Sequence, residues 1–131
     1  MLGFFQKRRD NKKISEALEL IGKMLILEGF GAEEALSIAQ HALNQVINDN
    51  SKDVPEPWPL AVMAMFQLKL KFAEVIREQE PNEQELEYFN SLIPILTKLI
   101  RDFIPYALET ASVTDKQIVK IIGQNNEKET S

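Results

Sequence analysis

The sequence predicts an all-α protein: a bundle of four main helices, the fourth long and bent at prolines, plus a short fifth helix. Three observations carry this. Apolar residues recur at i, i+3, i+4 and i+7 almost throughout, and no run alternates apolar and polar as a half-buried strand would. Glycines and prolines, among them Gly29, Gly31, Pro55, Pro57 and Pro81, separate the periodic runs. The length of 131 residues suits one domain, and the apolar share of 44% is enough for a packed core, so disorder does not describe the whole. The expected layout is a basic and aromatic arm over 1–11, a single helical domain over 12–123 and a polar tail over 124–131.

The first helix is expected over 12–28, with Ile14, Ala17, Leu18, Ile21 and Leu25 in one stripe that Leu20, Met24 and Leu27 widen. Gly29 stands where a left-handed residue ends a helix, and Phe30 can fold back on the last turn in a Schellman ending. The link is so short that the second helix, 32–48, must return antiparallel. Its face combines Ala32, Ala35, Ala39 and Ala42 with Leu36, Leu43 and Val46, and small side chains admit a close neighbour. Prolines at 55, 57 and 59 make the next segment an extended connector, with Pro59 suited to open the third helix, 59–80.

That third helix is apolar nearly all round in its first half, PLAVMAMF, which marks a central position; Gln67, Lys71, Glu74 and Glu78 form its narrow polar seam. Asn82 caps the fourth element, over 82–111, where Leu86, Phe89, Ile93, Leu96, Ile100, Phe103, Ala107 and Ala111 keep one face. Pro94 and Pro105 fall on the other side, so one bent helix and several shorter ones both satisfy the pattern. The fifth helix should start at a Thr114/Gln117 capping box, with Val113 stapled to Ile118. Ile118, Val119, Ile121 and Ile122 would dock it, and Gly123 would end it.

Charge is uneven. Residues 1–13 carry a net +4 and the remainder −9. An acidic body lacks the clustered lysine and arginine that phosphate binding requires, and Glu33 and Glu34 open the helix that would have to enter a DNA groove, so nucleic acid is not an expected partner. Without cysteine there are no disulfides, thiolate nucleophiles or thiolate metal sites. The uncharged, strongly apolar stretch 57–68 is short of the ~20 residues of a membrane span, and the start does not follow the order of a secretory signal. A cytoplasmic protein is the expectation.

Chemistry-bearing patterns are scarce. The single histidine, His41, lies opposite the alanine-leucine stripe and faces solvent; a helical di-iron motif would need Glu three residues before it, where Ile38 stands. Glu83, Glu85 and Glu87 cannot share a helix face. Asp49 and Asp53 lack the glycine and terminal Glu of a calcium loop, and there is no phosphate-binding glycine loop. No catalytic residue, cofactor or metal is assigned. Methionines and phenylalanines such as Met65 and Phe72 read as core.

What remains is interaction. The expected function is a non-catalytic adaptor that binds another protein, with a homodimer as one form. The alternative is weak attachment to anionic membrane through the N-terminal arm. The residues singled out for such contacts are Leu2, Phe4, Phe5, Lys7, Arg8 and Arg9 in the arm and Trp58 in the rigid segment P-E-P-W-P. Trp58 has a plainer reading as the cap on one end of the bundle.

Overall fold

The computed structural model describes residues 2–47 and 54–128, with side chains from residue 9 onward. Five helices follow in order: α1 (Leu2–Leu27), α2 (Ala32–Val46), α3 (Pro57–Glu78), α4 (Glu83–Thr110) and α5 (Val113–Asn125), with no strand among the described residues. The all-α reading holds. Asp49 and Asp53, and the side chains of Leu2, Phe4, Phe5, Lys7 and Arg8, lie outside what is described.

Helix α1 is longer than its apolar pattern, starting at Leu2 rather than near residue 12. Apolar periodicity marks the part of a helix that packs, whereas Gln, Lys and Arg propagate a helix beyond the packed part. Ala17, Ile21 and Leu25 are buried, but Leu27, expected to widen the stripe, is 77% exposed. The Schellman ending forms: Phe30 N–H donates to the Leu25 carbonyl (3.1 Å) and Gly29 N–H to that of Ile26 (3.0 Å). Gly29 has φ of 110°, a left-handed backbone that a side chain would strain. Lys98 on α4 donates to Glu28 in this turn at 2.6 Å, and that carboxylate holds Lys98 above the ordinary lysine range.

Helix α3 packs against each of the other four. Pro57, not Pro59, is its first residue; both fit because the first-turn N–H groups have no helical acceptor. Its buried set runs around the helix and includes Leu60, Val62, Met65, Phe66 and Leu68. It also includes Lys69, only 1% exposed. Burying a lysine nitrogen is costly unless its protons find acceptors. Here Nζ donates to both Oδ1 (2.9 Å) and the main-chain carbonyl of Asn126, and lies 5.8 Å from the Phe66 ring centre. Asn126, 2% exposed, donates through Nδ2 to the Thr97 carbonyl of α4 (2.9 Å). One polar cluster thus joins α3, α4 and the end of α5.

Helix α4 is a single helix through both prolines, which are exposed while Leu92, Leu96, Leu99, Ile100, Phe103 and Ala107 are buried. The bonds that Pro94 and Pro105 cannot donate leave carbonyls on the solvent side, where water can reach them. Asn82 caps as expected, accepting from Glu85 N–H (2.8 Å) and donating back to its carboxylate (2.6 Å).

Helix α5 departs from expectation at both ends. Ser112, not Thr114, is the cap, accepting from Asp115 N–H at 3.2 Å. Val113 is 82% exposed instead of stapled, and only Val119 and Ile122 are buried, leaving Ile118 and Ile121 exposed. Gly123 does not stop the helix, which runs on to Asn125; a Cβ at Gly123 would come within 3.3 Å of Ile104 Cδ1, a tight contact to which that side chain end would have to yield.

Two predictions follow from this packing. Ile100→Asp should destabilise the protein by several kcal/mol, because it places an unpaired charge in the core, whereas Arg101→Asp should change stability by less than about 1 kcal/mol. Urea unfolding distinguishes them. Lys69→Ala and Asn126→Ala should each cost on the order of 2 kcal/mol, and the double variant clearly less than their sum. Strict additivity would show that the two do not act as a pair.

Candidate functional site

The two tryptophan-flanking prolines and the C-terminal half of α4 fix Trp58. Its indole stacks on Tyr106 (centroids 4.8 Å apart, planes at 27°) and meets the Phe103 edge at 5.0 Å. Such pairs add attraction beyond burial and hold the ring in one place. Trp58 is therefore half-buried against the core, as an end cap would be. It also lines a groove of about 370 Å³ between α1, the start of α3 and the end of α4, together with Glu16, Glu19, Leu20, Glu56 and Thr110. The packing is that of an end cap, with part of the side chain open to the groove.

The groove is acidic. Glu19 pairs with Lys23 on the next turn (2.9 Å), and the lysine holds its carboxyl below the usual carboxylate range. Glu56 pairs with Lys13 (3.3 Å), which also donates to the Val54 carbonyl (3.1 Å). Lys13 therefore ties α1 to the connector. Glu16 has no hydrogen-bond or ion-pair partner among the described residues. Arg9 is exposed on α1 and does not line this groove.

On the far flank of α1 lies a second groove, about 360 Å³, between α1 and α2. Its floor holds Gly22 and Ala35, and its walls Leu18, Ile26 and Leu36. Ile26 is 47% and Leu36 46% exposed. The Glu19–Lys23 pair is the ridge that separates the two grooves. Gly22 sits in mid-helix, and a Cβ there would meet no atom within 4 Å outside its own helix backbone. Ala32, assigned to the packed face of α2, instead lines this groove and is exposed.

A third hollow, about 390 Å³, is formed by α2, α3 and the first part of α4, where His41, Glu34, Lys71, Phe72 and Tyr88 meet. Sequence reasoning did not bring these residues together, because they come from three helices. His41 is exposed, and its imidazole has no hydrogen-bond partner among the described residues. Burial, and then the Glu34 carboxylate, push the Tyr88 phenol above its ordinary value. No group of three or more His, Cys, Asp or Glu residues that could hold a metal occurs among the described residues, and no described helix is long and apolar enough to cross a membrane.

No protein-family model, curated protein or solved structure matches the chain. The Tyr88 environment yields a pH prediction. A phenol whose folded pKa is raised supports the fold at pH values below its unfolded pKa, and that support is lost as pH rises through the folded value. Stability should thus fall on the alkaline side, and Tyr88→Phe should make that fall shallower in urea titrations. Glu34→Gln should lower the pH at which Tyr88 ionises, read by ultraviolet absorbance.

Proposed function

We propose that this protein is a non-catalytic adaptor that receives an apolar helix of another protein in the groove between α1 and α2. The observation that carries the proposal is Gly22. A glycine inside a helix costs roughly 1 kcal/mol relative to alanine. At Gly123 a Cβ would come within 3.3 Å of Ile104 Cδ1. At Gly22 nothing among the described residues accounts for the bare backbone, since no described atom outside its own helix backbone comes within 4 Å of a Cβ built there. A helix laid along the groove would account for it, because close backbone approach needs small residues at the contact. Ile26 and Leu36 on the rims supply the apolar contacts that helix-in-groove recognition uses.

Gly22 separates folding from binding. Gly22→Ala should stabilise the isolated protein by about 1 kcal/mol, whereas Gly22→Leu should fill the groove and leave the helix intact. Partners captured by crosslinking with the wild-type chain should be lost with Gly22→Leu and retained with the surface variant Glu87→Ala. A capture set unaffected by Gly22→Leu would sink the proposal. Light scattering on the purified chain reads the homodimer form: a dimer that Gly22→Leu dissociates would make a second copy the occupant.

A further inference from the structure

Helix α5 is held firmly at its two ends and loosely between them. At its start, Ala111 and Ser112 are both extended and join it to α4. Just past its end, Asn126 accepts from Lys69 through its carbonyl and Oδ1 and donates through Nδ2 to the Thr97 carbonyl. Between these points the helix buries Val119 and Ile122, while Val113, Ile118 and Ile121 are exposed and gain little from docking. The Arg101–Glu127 pair beside Asn126 is exposed on both sides, and such pairs contribute little. Opening would also return something. In the docked form Lys69 is buried, and its ammonium has given up water that it regains once Asn126 leaves. A helix with few buried apolar side chains, whose docking desolvates a charge, belongs to the low-stability end of a fold.

We propose that α5 is a latch that undocks as one unit about Ala111 and Ser112, with Asn126 as its catch, while α1 to α4 stay packed. The open form is a minor native state. It uncovers Lys69 and the α5-facing side of α3 and α4, including Ile104, whose Cδ1 lies beside Gly123 in the closed form. Nothing in the latch depends on the groove between α1 and α2.

Two kinds of group report the opening on the full chain. The Lys69 amine reacts with a water-soluble acylating reagent only when uncovered. An undocked helix of 13 residues is marginal in water, so the amides of Val119 and Ile122 exchange hydrogen when α5 leaves. Peptide mass spectrometry reads the first and nuclear magnetic resonance the second. Lys69 and the two α5 amides should be protected by the same factor relative to freely exposed groups. The amides of Met65 and Ile100, which exchange through global unfolding, should be protected about tenfold more or better. Ile21→Val, a mild cavity in α1, should lower the protection of Met65 and Ile100 about two- to tenfold and leave Lys69, Val119 and Ile122 unchanged. Asn126→Ala should lower the protection of Lys69, Val119 and Ile122 together, by about tenfold or more. Equal protection of α5 and core amides, or an equal loss in α5 with Ile21→Val, would overturn the latch by making its opening global. Protection of Lys69 that differs from that of the α5 amides, or that Asn126→Ala leaves unchanged, would overturn it by separating the lysine from the catch. Acylation of Lys69 as fast as that of the exposed Lys71 would show that α5 does not cover it at all.

Discussion

A helix that is apolar around most of its circumference cannot lie at the edge of a bundle, and every other placement in this protein follows from covering α3. Leu60, Val62, Met65 and Phe66 point in different directions within two turns, and all are buried. The α1/α2 hairpin, α4 and α5 each take part of that surface. Covering one helix on all sides leaves the covering helices with flanks of their own. Two of the open grooves lie there, along both sides of α1.

Lys69 interrupts this apolar helix at the place where α5 ends. A methionine or leucine there would pack with no demand for partners, and replacing buried polar clusters by apolar side chains is often neutral or stabilising. What a leucine would not do is choose. The lysine nitrogen donates to the carbonyl and side-chain oxygens of Asn126, and Asn126 in turn donates to the Thr97 carbonyl. The cluster thereby sets where α5 stops and how it sits on α3 and α4, which its two buried apolar residues, Val119 and Ile122, would set only loosely.

The helix count, the hairpin turn at Gly29, the central position of α3 and the cap at Asn82 were legible because each rests on local periodicity or on one residue's backbone preference. The start of α1 was not, since a helix can outrun the apolar face that reveals it. Gly123 was read as a stop because a glycine's need for close packing cannot be told from its need for a turn without its neighbour Ile104. Lys69 carried a signal, a lysine three and four positions from Phe66 and Met65 on an apolar stripe, but its partner is 57 residues away. Trp58 was legible as a candidate with Glu56 two residues before it; Glu16 and Glu19 join them only in the fold. Gly22 was legible as a glycine in a helix, while the empty space that gives it meaning exists only in three dimensions.

The 57-residue separation between Lys69 and Asn126 has a consequence for how the chain is made. At ribosomal rates of ~5–20 residues per second, Lys69 is synthesised about 3–11 seconds before Asn126. During that interval α1 and α2 can already cover part of α3, but Asn126 is not yet available to Lys69. Until Asn126 is made, the α5-facing side of α3 has no helix to cover it, and the buried position of Lys69 is completed after the rest of α3 is already in place.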